Sequence, residues 1–547
     1  MKMNKKSVIA IAIVAAAVVA SVVAVAVWKA QPKGMTVAVS TLPDSLNPVL
    51  EQNTSGLNAD ELVFDGLTNF EITEDSSSGR GVLYADLALA EYIEQDTSDK
   101  KTYTVTLRDV YWHDSTAEKP HVVTADDVAY SYQAYVLPEN NSPKRDYILS
   151  FIENVQAVDE KTVKVLFKNP IPEFRAYPVL TFKIIPHFYK GQEMSVNLRE
   201  GENERNFATA PVGTGPFKLA NWEIGKWLTF NANGLYSSVK NVPQADSLVI
   251  KRTIDPIVRM NELRKGSINM ILETNPMDRA SVAKIDNVDI NSYMPYAFYD
   301  VEINTSLFQS AEGRQAMAMA LDKRNLIPGI TDQRDGVVLN NGPFPSNLFA
   351  VSVPDYYKDD VPNLLPYNLE KAKSLAEKGG ISGQNAILIY PDSMGDFGKQ
   401  MAEGIVAQLS KIGLNVEARR TGDQVFNRMV NKEKSFELAL VYREGFDNVY
   451  SSMGAYYRSG SVENVTGIAD KELDSLFDEW EKTNVTKDWI DLTLKINKRV
   501  SELSPALYLC SLQKDVYSRG LSNILIATDN PFLSAEDWKF KDCHLWD

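Results

Sequence analysis

Apolar and polar positions alternate strictly in several short stretches. Met35 to Ser40, closed by Leu42-Pro43-Asp44, reads as a strand, as do Tyr103 to Leu107 and Thr162 to Phe167. Leu414 to Ala418 and the more apolar Phe436 to Val441 add two more. Between them the period lengthens to that of helices. Thr124-Ala125-Asp126-Asp127 opens one helix, with Thr124 as cap and two carboxylates at the positive end of its dipole. Gly313 to Ile327 predicts an Ala/Met-rich helix that stops at Pro328. Asn368 caps Leu369 to Lys378, which Gly379-Gly380 ends, and Met401, Ile405, Leu409 and Ile412 share one face of a helix closing near Gly413. Strand and helix signals alternate along the chain, which predicts α/β lobes with a sizeable core.

The first thirty residues differ in kind. Lys2, Lys5 and Lys6 precede an apolar run from Val8 to Val27 interrupted only by Ser21. Such a run spans about 30 Å as a helix, the thickness of a bilayer core. The basic flank keeps the N-terminus cytoplasmic and exports the rest. Residues 1–30 are therefore a signal peptide cut near Ala24-Val25-Ala26 or an uncleaved anchor. No Cys stands just after the run, which excludes a lipid-anchored N-terminus.

At 547 residues, 24% of them charged, the chain is too long and mixed for a disulfide-stapled mini-protein, a coiled coil or a disordered segment. A net charge of −15 argues against general nucleic-acid binding, which needs a basic footprint. The two cysteines, Cys510 and Cys543, either pair in the oxidising compartment or leave Cys510 as a buried thiol in its apolar stretch.

Catalytic signatures are missing. The four histidines, His113, His121, His187 and His544, form no metal-ligand spacing, and His113 with His121 makes at most a weak surface metal site. No nucleophile elbow occurs. Gly213-Thr214-Gly215 lacks the Lys-Ser/Thr ending of a phosphate loop and is followed by Pro216, so it reads as a tight turn that needs positive φ. No catalytic residue, metal or cofactor is expected, and the exported, aromatic-rich chain reads as a binder.

Five ordered blocks point to a family. Leu107-Arg108, Trp112 and Thr124-Ala125-Asp126-Asp127-Val128-Ala129-Tyr130-Ser131-Tyr132 form the first. Val158-Asp159-Glu160-Lys161-Thr162-Val163 and Pro211-Val212-Gly213-Thr214-Gly215-Pro216-Phe217 follow, the latter the most specific. Asn221-Trp222 with Gly225, and Arg314-Gln315-Ala316 with Ala320-Leu321-Asp322-Lys323, complete the series. Together they resemble the dipeptide/oligopeptide-binding proteins of ABC importers, solute-binding protein family 5, over nearly everything after residue 35.

The resemblance implies a two-lobed periplasmic-binding-protein-like clamp of α/β class, with an extra small α+β domain inserted in lobe one. Lobe one would take residues 31–60, 205–270 and 497–547, the extra domain 61–204, and lobe two 271–496. It also implies a monomer that captures short peptides outside the membrane by lobe closure and delivers them to an ABC permease. Relatives that carry nickel, haem, sugars or opine-like molecules leave another ligand open, and the anchor leaves open a membrane-bound sensor or scaffold.

By the same resemblance, an Asp after the strand ending near Val441 neutralises the peptide ammonium. Asp447 is the candidate and Glu444 its rival. Arg443 stands where the family has Trp. It would pair with a ligand carboxylate, bridge Glu444 or face solvent, while Tyr442 walls the pocket or the core. Ser40, Thr41 and Leu42 would lie at the cleft lip, and Asn304 near the lobe crossing, where it touches ligand or bonds to backbone. Trp112 belongs to the core of the extra domain, and Gly213 and Gly215 shape a turn near the hinge.

Overall fold

The computed structural model describes residues 34–541, apart from 53, 75–80, 237–238, 241, 275–277, 296, 332–335, 345–361, 444–453, 455, 484–485 and 528–529. The Val8–Val27 run, Glu444, Asp447, Cys543 and His544 lie outside the described residues. Among those described, no helix is long and apolar enough to cross a membrane.

Two sheets divide the molecule. Their strands, in chain order, are β1 (Gly34–Val39), β2 (Phe217–Glu223), β3 (Trp227–Ala232), β4 (Ser247–Arg252), β5 (Met270–Ile271), β6 (Asp289–Tyr293), β7 (Phe298–Ile303), β8 (Val337–Leu339), β9 (Asn385–Pro391), β10 (Asn415–Thr421), β11 (Leu438–Arg443), β12 (Ala506–Leu512) and β13 (Lys514–Ser518). The first sheet runs β2-β3-β4-β1-β5-β13-β6 and the second β8-β12-β7-β11-β9-β10. In the first, β1 is parallel to both β4 and β5; in the second, β9 is parallel to β10 and β11. The carboxyl ends of these parallel strands are where α/β sheets bind ligands.

The chain passes between the sheets twice, from β6 to β7 and from β12 to β13. The passages run side by side: Tyr293 pairs with Lys514 below them and Tyr299 with Cys510 above. The second sheet begins at β7 and includes β12, and the chain re-enters the first sheet after Gln513. Sheet membership is decided by pairing between residues some 200 apart in sequence.

The inserted domain carries a four-stranded antiparallel sheet ordered Ala90–Gln95, Thr102–Leu107, Thr162–Phe167, Ile152–Ala157. Its apolar face, with Trp112 fully buried, merges with the inner face of the first sheet in one continuous core. The helix Ala125–Val136 packs on it. Asp127 anchors the start of that helix by accepting the Thr124 N–H at 2.8 Å and the His187 N–H at 2.7 Å.

In lobe two, α1 (Ala311–Ala320), α2 (Lys323–Thr331), α3 (Leu369–Lys378) and α4 (Gly395–Leu409) supply helical cover, with the predicted Met401/Ile405/Leu409 face buried. The single helix expected over Gly313 to Ile327 is two. Leu321 turns extended at ψ 110°, and the Asp322 carboxylate accepts the Asn325 N–H at 3.3 Å and restarts the helix. Pro328 then sits inside the second helix and does not end it. On the opposite face of the second sheet, Trp480 and Trp489 pack with Phe298, Tyr508 and Leu83 of the hairpin Thr68–Glu74/Gly81–Leu87.

Gly213 and Gly215 are needed for room. Neither has positive φ, but a Cβ on Gly213 would fall 1.8 Å from the Val63 carbonyl oxygen, and one on Gly215 2.6 Å from the Val63 carbonyl carbon. The Gly215 N–H donates to that same Val63 oxygen at 2.8 Å. Backbone-to-backbone contact, which admits only glycine, replaces the expected strained turn.

Candidate functional site

A cleft of about 760 Å³ opens where β9 and β11 end. Its wall is aromatic: Tyr442 of β11 lies 4.8 Å from Tyr299 of β7, and Tyr299 lies 4.9 Å from Phe397 in the first turn of α4. The neighbours follow from register, since Tyr299 and Tyr442 are directly opposed across an antiparallel pair. Phe426 and Tyr456 continue the lining, and Thr274, just past β5, brings the first sheet to the same cleft. Lys514, at the return passage, places its ammonium 4.6 Å from the Tyr442 ring centre, so Tyr442 touches both the cleft and the crossing.

Behind this wall lies a buried ion cluster. The alternation of β7 sends Asp300 and Glu302 to the face opposite Val301 and Ile303, and β11 sends Arg443 to the same face. Arg443 Nε donates to Asp300 Oδ2 at 3.1 Å, Nη2 pairs with Glu302 Oε1, and the guanidinium stacks 4.2 Å from the Tyr456 ring centre. Both carboxylate side chains are fully buried and that of Arg443 is only 8% exposed. Burial pushes the Asp300 carboxyl up to about 6, outweighing the downward pull of Arg443. Arg443 therefore does not face solvent as one expectation had it, while Glu444 lies outside the described residues. The outer edge of Arg443 still lines the cleft.

Asn304 is committed to the fold. Its amide donates to the carbonyls of Phe436 at 2.8 Å and Lys434 at 3.2 Å, and its oxygen accepts from the Ser306 N–H and hydroxyl. Both ends are used, so it stitches β7 to the approach of β11 and has no free group for a ligand. Leu42 is likewise buried in the first core and does not stand at the lip. Thr41 is exposed there, and the Ser40 N–H donates to both oxygens of Glu273, at 2.9 and 3.0 Å.

His113 and His121 have separate partners. His113 Nε2 donates to the Gly215 carbonyl at 2.9 Å, and burial lowers its pKa to about 4, while His121 pairs with Asp114 at 2.8 Å. No cluster of three or more ligating side chains occurs among the described residues. Cys510 is a buried free thiol whose pKa burial pushes up to about 12.

Sequence reasoning reached Tyr442 and Arg443 but missed Tyr299, Phe397, Tyr456, Asp300 and Glu302. A signal existed for the acids. In Phe298-Tyr299-Asp300-Val301-Glu302-Ile303 two carboxylates recur at period two in a strand otherwise fit for a core. That pattern calls for a cation from a neighbouring strand.

Comparison with known proteins follows the same lines. The sequence model of bacterial extracellular solute-binding proteins, family 5, matches residues 86–464. The chain is 26% identical over 427 residues to di/tripeptide-binding protein 2 of Pseudomonas aeruginosa, covering 75% of each. Among solved structures, the ABC transporter substrate-binding protein CtaP of Listeria monocytogenes superposes with a TM-score of 0.78 at 21% identity, covering 93% of this chain and 100% of that one. The oligopeptide-binding protein AppA of Bacillus subtilis, in complex with a nonapeptide, gives 0.73 at 20% identity with the same coverage.

Proposed function

Because the chain belongs to family 5 of the bacterial extracellular solute-binding proteins, we propose that it captures short peptides in the cleft between its lobes and hands them to an ABC permease. The observation that carries this reading is the aromatic-walled cleft of about 760 Å³ at the carboxyl ends of the second sheet, reached by Thr274 from the first. A space of that size accommodates a few residues of extended chain. The curated relative that binds di- and tripeptides supports the ligand class.

The two side-by-side passages supply a hinge. They hold few residues, so small backbone rotations there swing one sheet toward the other. A peptide drives closure by contacting both lobes at once, since only differential affinity for the closed state shifts the balance. Its backbone amides find partners in the cleft irrespective of sequence, and its ammonium requires a carboxylate. Asp447 fills that role, with Glu444 as the rival; they are the fourth and first residues after β11 in sequence. Tyr442 and Tyr299 cover the apolar parts of the ligand.

The mature chain works as a monomer outside the cytoplasmic membrane, with residues 8–27 as the export signal or anchor. N-terminal sequencing of membrane and soluble fractions distinguishes the two. The ligand class is tested by mass spectrometry of small molecules released on denaturing the purified protein. A mixture of short peptides is expected, and a single metal, sugar or haem sinks the reading. Asp447→Ala is expected to weaken peptide binding at least tenfold, about 1.4 kcal/mol, in calorimetric titration. If Glu444→Ala produces that loss and Asp447→Ala does not, the anchor is Glu444.

A further inference from the structure

A second polar assembly sits on the lip of the first lobe, and nothing in the binding reading above uses it. Ser40 follows the carboxyl end of β1, Glu273 lies two residues past β5, and Arg259 belongs to the helix Pro256–Lys265 that follows β4. All three stand at the carboxyl edge of the first sheet, and Thr274, next to Glu273, lines the cleft.

The donors are rigid. The Arg259 side chain is only 7% exposed and is held by donating from Nη1 to the carbonyls of Thr253 at 2.7 Å and Ile254 at 3.1 Å. Its Nε is buried with no hydrogen-bond acceptor among the described residues. The Ser40 carbonyl accepts from Arg252 Nε at 3.2 Å, which holds the Ser40–Thr41 peptide unit, next to the one that carries the Ser40 N–H. The acceptor is not rigid. Glu273 is 42% exposed, and its Oε2 stands 3.5 Å from Arg259 Nη1, well beyond the 2.7–2.9 Å usual for a charge-assisted bond. A buried guanidinium with an unspent donor, beside a backbone N–H, is a built receptor for a carboxylate; Glu273 fills it loosely.

We propose that the Ser40 N–H and the Arg259 guanidinium form the seat for the ligand's own carboxylate, and that Glu273 is its displaceable internal occupant. The proposal rests on the peptide reading above and deepens it by assigning the carboxyl end of the ligand to lobe one. Exchange of one carboxylate for another keeps an acceptor on the Ser40 N–H in both states, so that donor is not stranded. The displaced Glu273 side chain, already half in water, regains full solvation. Ligands without a free carboxylate leave Glu273 in place and gain nothing from the seat.

The test compares alanine peptides of two to five residues with their C-terminal amides, by calorimetric titration against wild-type protein and Glu273→Gln. Gln keeps the size of the side chain but is a weaker competitor for the seat and does not repel an incoming anion. Affinity for the free acids is expected to rise at least about threefold, and affinity for the amides to stay within about twofold, with an unchanged melting temperature. An equal change for acids and amides, or none for either, overturns the proposal and leaves Glu273 a structural strut. Wild-type protein that binds neither form fails the peptide reading itself, and the seat with it. Glu273→Ala gives an independent check on the same exposed side chain.

Discussion

The two sheets turn their carboxyl ends toward one cleft but furnish them differently. On the second sheet the cleft meets rings, Tyr299, Tyr442 and Phe397, backed by Arg443 locked between two buried acids. On the first sheet the lip carries Ser40, Thr41, Arg259 and Glu273, a small polar assembly half open to water. The ion cluster behind the second sheet is thus internal and stiff, whereas Glu273 on the first lobe is half solvated.

Arg443→Met tests the stiffness most severely. It strands Asp300 and Glu302 in the interior with no cation, and a loss of about 3–5 kcal/mol is expected in urea unfolding. A loss under about 1 kcal/mol would mean the cluster is not internal in solution. Opposite on the first lobe, Glu273→Gln should leave unfolding unchanged, because its pair is half solvated.

The next effect is one of pH. The Asp300 carboxyl titrates near 6 in the folded chain against an ordinary 3.8. Between those values the folded state holds more protons than the unfolded one. The contribution of this group is therefore greatest below about pH 4 and is lost as pH climbs through 6. Asp300→Asn leaves Arg443 and Glu302 as a matched pair, and should stabilise the protein more at pH 7.5 than at pH 5. Parallel urea curves for the two proteins at both pH values would refute the raised carboxyl.

Gly213→Ala probes the other side of the comparison, where the inserted domain meets lobe one. A methyl 1.8 Å from the Val63 oxygen cannot be accommodated without moving backbone, and about 1–3 kcal/mol of destabilisation is expected by thermal melting. Peptide affinity should hold among molecules that remain folded. Lys514→Met is the mildest change. Loss of the contact with the Tyr442 ring costs about 0.5–1 kcal/mol, read as a small drop in peptide affinity, because the ring then loses its support at the crossing.

Much of the fold was readable before any coordinate. Asn368, whose side chain accepts the Lys371 N–H at 3.0 Å, and the face of Met401, Ile405 and Leu409 are local devices, written within one or two turns of chain. The pairing of Ala38 with both Ile271 and Lys251 is not local, nor is the crossing at Gln513, so neither was legible in a short window of chain.

The candidate site divides the same way. Tyr442 and Arg443 could be marked because they end a legible strand. That Arg443 spends its charge on Asp300 and Glu302, 143 and 141 positions earlier, depends on the register of β7 against β11. Sequence by itself determined the α/β alternation, the family blocks from Leu107 to Lys323 and the surplus of acids. Tertiary structure alone decided which acid meets which base, that Asn304 is stitched into backbone, and that Gly213 is glycine for want of space. Short-range periodicity fixes a residue's face, while its partner across the sheet is set by register and loop closure, which no window along the chain contains.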